Sequence, residues 1–361
     1  MTTMHHRALR GFRPVRNVDA GALLELVLVY AVAAILCIRV YLEVTGYPQV
    51  GGKGLHIAHM LWGGLLMLIA LVIVIAFLGK SMVRLGAIVG GLGFGIFLDE
   101  LGKFITSDNN YFYRPTFAVM YVIFVCLFLI FRAIDRRKQL TQEEALINAV
   151  DILQEVVRHD LDKKEKQQAL QLLAQSDQSN AIVVALEQML AEATPVADKM
   201  PDAPDRLMRR VRHWYYSVIG RSWFPTALIV IFTLLALGDL ASLFGTVIAD
   251  TRFTPLDPHL NFLDWADLLS SFTFAALVVV GITRLRHSRL AAYHWFRWAM
   301  LVTIFFGQVL AFYTDQLVAI VDLAFCLLLL GALNYTIGEE QAGADRVPVA
   351  TSTPLLGSAG A

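Results

Sequence analysis

The stretch RLGAIVGGLGFGIFLDELGKFITSDNNYFYRP, Arg84–Pro115, decides how the rest of the chain is read. It opens as an apolar, glycine-laden helix and closes in a dense polar knot. At about 100° per residue, Gly86, Gly90, Gly93 and Glu100 share one helix face. Gly91, Gly95, Asp99 and Lys103 share roughly the opposite face. Small residues on two faces let neighbouring helices approach on both sides, which describes a central helix. Its polar end sets Asp99, Glu100 and Lys103 at a bilayer edge, where such groups need partners or water.

The rest of the chain agrees with a membrane setting. Hydrophobic residues make up 57% of it and the mean hydropathy is +0.59, beyond what a soluble domain usually shows. Eight apolar runs suggest an all-α polytopic fold: about Ala20–Tyr41, Leu55–Leu78, Val83–Lys103, Tyr113–Phe131, Trp223–Ile248, Leu263–Ile282, Ala292–Phe312 and Leu317–Ile337. They fall into two groups of four, giving a basic N-terminal segment (1–19), a first half (20–132), a soluble helical insert (133–222), a second half (223–337) and a polar tail (338–361). The formal net charge of +0 points to no nucleic-acid partner. Cys37, Cys126 and Cys326 all lie in apolar runs and make no disulfide framework.

Basic residues set the expected orientation. The N-terminal arginines, Lys80 and Arg84, Arg132 to Lys138, and Arg284 to Arg289 all fall on one set of loops. The positive-inside rule then places both termini and the insert in the cytoplasm of a cell-membrane protein. In the insert, Thr141 with Glu144 and Asp162 with Glu165 have capping-box spacing, each ahead of an apolar helical stripe. A third helix shows Ile182, Ala185, Leu186, Met189 and Leu190, and a proline-rich linker covers Thr194–Asp205. This insert could bind a cytoplasmic protein partner. Matching positions in the two halves, such as Leu55–His59 with Leu263–Asp267 and Cys126 with Cys326, are compatible with a parallel duplication.

Candidate site residues converge on the outer side of this topology. His56 and His59 open the second span, three residues apart on one face. Asp99, Glu100 and Lys103 end the third. From the second half come Asp239, Asp264, Asp267 and Asp322, with Asp239 and Asp322 expected too deep to reach water by side-chain length alone. Each has a plain reading: Asp99 and Lys103 could pair at i,i+4, and Asp264 could cap its helix. As a set, they point to a ligand site between the halves for an ion or small polar solute, hence transport. A second use of the set is a divalent metal such as zinc on His56, His59 and Asp99, with Glu100 as general base of a hydrolase. A third is a membrane anchor working through its insert.

His56-x-x-His59, GFGIFLDELGKFIT and NNYFYRP together resemble a family of bacterial multi-pass membrane proteins, over about residues 55–121. The resemblance implies an integral membrane protein and carries no catalytic assignment. The His-plus-Asp pattern is also loosely similar to membrane ceramidase-like hydrolases. Its spacing departs from theirs and lacks a third histidine inside a span at the matching level, so no activity is transferred.

Overall fold

A computed structural model describes residues 14–46, 58–106, 113–135, 140–196, 203–253 and 262–345. Among these residues it is all helical. The helices are α1 (Ala20–Thr45), α2 (His59–Ala76), α3 (Lys80–Asp99), α4 (Leu101–Ile105), α5 (Pro115–Asp135), α6 (Gln142–Val157), α7 (Lys163–Ala174) and α8 (Ala181–Glu192). After them come α9 (Ala203–Ile219), α10 (Phe224–Phe253), α11 (Phe262–Arg284), α12 (Arg289–Val302), α13 (Gln308–Thr314) and α14 (Ala319–Asp345). A π turn, Thr303–Gly307, joins α12 to α13. Among the described residues, 8 helical stretches are long and apolar enough to cross a membrane. Their outward faces carry exposed aliphatic side chains, for example Leu68, Val72 and Ile75 on α2.

The chain divides into two compact units. Unit 1 takes the chain up to Thr116 and then Val122–Met200; unit 2 takes Phe117–Tyr121 and the chain from Pro201 onward.

Unit 1 is built on α3. A Cβ at Gly91 would stand 2.6 Å from the Val27 carbonyl oxygen, and one at Gly95 would overlap the Ala31 carbonyl, so α1 lies backbone-to-backbone on that face. On the other face, a Cβ at Gly93 would stand 2.7 Å from the Gly63 oxygen, and one at Gly86 would overlap Val74. The two glycine faces read from the sequence are therefore the α1 and α2 contacts. Val27, Ala31 and Ile35 step along α1 as Gly91, Gly95 and Asp99 step along α3, so the two helices run parallel in register.

The insert folds on its own small core. Thr141 and Asp162 each form the expected capping box, with Glu144 and Glu165. Asn180 caps α8 through the Ile182 amide. Ala145, Ala149, Ile152, Leu172, Leu173, Val183 and Leu190 are buried between α6, α7 and α8. This core is tied to the start of α1: Arg16 pairs with Glu144 at 3.2 Å, and Asn148 accepts from the Val18 amide and donates to the Arg16 carbonyl, both at 2.8 Å. The start of α3 joins in, with Lys80 on Asp19 at 2.9 Å. The segment before α1, the α2–α3 connection and the insert thus sit at one end of unit 1.

Unit 2 packs α10, α11, α12 and α14 around Phe232, Phe274, Val278, Phe296 and Leu333. Phe232 and Phe296 stack at 5.0 Å, and Gly281 makes the space for Phe296. In the π turn, the Ile304 carbonyl accepts from the Tyr121 hydroxyl at 2.6 Å. Helix α9 belongs here and not with α6–α8, so the insert is one stretch of sequence divided between two units. The cause is packing: the Tyr215 hydroxyl donates to the Leu328 carbonyl at 2.8 Å, which holds α9 on α14. The expected linker is shorter than read, since α9 begins at Ala203.

Two outcomes test this account. Gly63 and Gly64 are neighbours, yet a Cβ at Gly63 would stand 2.5 Å from the Phe97 nitrogen while one at Gly64 meets nothing within 4 Å. Gly63→Ala should lower unfolding stability by about 1–3 kcal/mol, the usual cost of overpacking, and Gly64→Ala should leave it nearly unchanged; equal melting curves for the two would dismiss the close contact. The second concerns acid. Hydrogen bonds from the Arg16 side chain, and then from the Thr141 amide, hold the Glu144 carboxyl down at about 2. A lowered folded-state value means the tie is fully present above about 4.5 and is lost as pH falls towards 2. Hydrogen exchange at the Val18 amide, corrected for intrinsic rate, should accelerate through that window and lose the pH step in Glu144→Gln.

Candidate functional site: a carboxylate and imidazole network in unit 1

Three helices bring charge to the end of unit 1 opposite the insert. Arg39 lies two turns beyond Ala31 on the α1 face that meets α3. Asp99 ends α3, two turns past Gly91 and one past Gly95. His59 opens α2, one turn before Gly63. The helix breaks at Glu100, whose φ of −87° and ψ of 7° separate α3 from α4. The glycine contacts therefore dictate which side chains meet: the Gly91–Gly95 face delivers Asp99 to α1, and the Gly93 face delivers Glu100 to α2.

Asp99 and Glu100 are fully buried, at 0% exposure, and Arg39 nearly so, at 4%. The Arg39 Nε donates to Asp99 Oδ1, and its Nη2 donates to the Asp99 backbone carbonyl at 3.1 Å. His59 Nε2 lies 3.1 Å from Asp99 Oδ2, and its Nδ1 lies 3.1 Å from Glu100 Oε1. Glu100 also accepts from Lys103 Nζ at 2.8 Å and from the Met60 amide at 3.2 Å. That last contact places a carboxylate at the N-terminus of α2, whose own N-cap Ala58 offers no side-chain oxygen. The order is Arg39, Asp99, His59, Glu100, Lys103, alternating cation and anion with an imidazole at its centre. Burying two carboxylates costs several kcal/mol each unless they are paired and hydrogen-bonded, which these are.

The imidazole governs what this arrangement can do. Both ring nitrogens can donate together only in the doubly protonated ring; with a neutral ring, one carboxyl must hold the proton. The His59 side chain is 28% exposed while both carboxylates have none. The ring is thus the one member of the trio that is not fully buried, and it touches both acids.

Of the residues expected from sequence, His59, Asp99, Glu100 and Lys103 come together here. Lys103 pairs with Glu100 at i,i+3, where the i,i+4 reading had set it against Asp99; the break at Glu100 turns α4 away from a straight continuation of α3. Arg39 was missed, because a single charge late in an apolar run looks like a flank. Its level, the same as that of Asp99 two spans later, was the available signal. His56 lies outside the described residues. The carboxylates of the second half lie in unit 2. Asp239 on α10 is half-buried, and Asp267 on α11 is exposed. Asp264 is exposed in the first turn of α11 and Asp322 is exposed in the first turn of α14. Both suit a helix N-terminus.

No family model, curated protein or solved structure matches the chain.

The network should be tightly coupled. Arg39→Met leaves Asp99 buried without its guanidinium and should destabilise by about 3–5 kcal/mol. Asp99→Leu alone should do similar harm by stranding Arg39. The double variant should lose much less than the sum of the two, because it removes both charges together. Denaturant unfolding of the purified protein measures the cycle, and additive losses would mean that the two side chains do not form a pair.

Proposed function

We propose that the chain is a multi-pass membrane transport protein for an ion or small polar solute, with the His59 network as its proton-exchanging element. The observation that carries this reading is the partly exposed imidazole set between two fully buried carboxylates. Intramembrane acids and histidines of this kind are costly to bury and serve relays in pumps and transporters. Membrane insertion is supported by the 8 long apolar helices and their exposed aliphatic faces. The arginine and lysine residues at the insert end support a cell-membrane orientation with both termini in the cytoplasm, so that the network faces outward.

The zinc-dependent hydrolase has less support from this geometry. Asp99 and Glu100 already hold Arg39 and Lys103, and a divalent ion would have to displace these cations. The anchor reading draws on a different observation, the separately cored α6–α8 insert, which offers a surface to a cytoplasmic protein.

Reconstitution into liposomes with an internal pH dye tests the proposal. With valinomycin and potassium balancing charge, wild-type protein should dissipate an imposed pH gradient faster than empty liposomes. His59→Gln should abolish the difference, and Gly64→Ala should retain it. Wild-type rates equal to those of empty liposomes would sink proton exchange, and stoichiometric zinc in the same preparation would favour the hydrolase.

A further inference from the structure

A second polar cluster lies inside unit 2, on elements that the His59 network does not touch. On α12, Arg289, Tyr293 and Arg297 follow one another at i,i+4 and share a face. Tyr293 has 0% exposure, and its hydroxyl has no hydrogen-bond partner among the described residues. Arg297 is half-buried, and its Nε is likewise buried and unpartnered among them. It lies 297 − 289 = 8 residues, or ~12 Å, along the helix from its start. That is well inside the apolar stretch Arg289–Thr314. Helix α14, which carries Glu340, packs against α12. Thr336, one turn before Glu340, is also buried, with its hydroxyl turned back on the Ala332 carbonyl.

A buried guanidinium Nε and a buried phenol, both without a partner among the described residues, cost free energy unless something accepts from them. Water alone could accept from a phenol, but a guanidinium at this depth calls for an anion. We propose that Tyr293 and Arg297 form a binding site for a carboxylate group, carried on a small monocarboxylate or on a fatty acid. The planar guanidinium fork matches two carboxylate oxygens, and the Tyr293 hydroxyl supplies a further donor. Arg297 supplies one buried positive charge, which balances a singly charged ligand and leaves a phosphate dianion with charge uncompensated. Binding is read on the purified protein, so the outcome is independent of whether the chain moves protons.

The full chain in phosphatidylcholine nanodiscs would be titrated with butyrate, oleate and inorganic phosphate, following the melting temperature. At least one carboxylate should give a saturable rise, with phosphate weaker at equal concentration. A response to butyrate assigns a soluble solute, and a response to oleate alone assigns a lipid carboxylate. Tyr293→Phe should fold with an unchanged or higher melting temperature without ligand, yet bind about tenfold more weakly, since it removes only an unsatisfied hydroxyl. Arg297→Gln should abolish binding, and Arg297→Lys should not restore it. Should Arg297→Gln fail to fold, Tyr293→Phe decides alone, because it keeps the side-chain volume. No saturable shift with either carboxylate, a shift unchanged in the variants, or tighter binding of phosphate would each overturn the assignment.

Discussion

Close backbone contact along α3 is the constraint on which unit 1 depends. Glycine at Gly91 and Gly95 leaves no room for a side chain between α3 and α1, and Gly63 with Gly93 does the same between α3 and α2. Without that proximity, Arg39 and His59 could not reach Asp99 and Glu100, and the two acids would be buried alone. The apolar and charged parts of the helix are therefore one device. Residues that only pack bring the helices near enough for residues that only pair.

The packing half of that device was legible in the sequence, because a 3.6-residue period sorts Gly86, Gly90 and Gly93 from Gly91 and Gly95. The same arithmetic put Asp99 and Glu100 on different faces, and each meets the helix its face implies. The capping boxes at Thr141 and Asp162 were equally readable, since they depend on residues three apart. What escaped were features set by tertiary contact. Arg39 is separated from Asp99 by a whole helical hairpin, and no local pattern links them. The Lys103 pairing followed from a backbone break at Glu100 that no glycine or proline announces.

The insert shows a related limit. Composition marks residues 133–222 as a single polar interruption, yet its first three helices and α9 have separate allegiances. Helices α6–α8 bury their own leucines and alanines and clasp the start of α1, while α9 turns its tyrosine to α14. A stretch of soluble character is defined in sequence by what it lacks, and in structure by what it touches.

Glu100 combines two properties that proteins usually keep apart. It is the residue at which the α3 backbone leaves its helix, and its carboxylate joins the α2 amide end, the His59 ring and the α4 lysine. A hinge is ordinarily a small neutral residue, free to turn because little holds it. Here the pivot is latched by its own charge from three directions. A proton on Glu100 loosens its hold on the Met60 amide and the Lys103 ammonium but keeps the ring contact with the donor reversed, so the residue that breaks the helix also records where the proton sits.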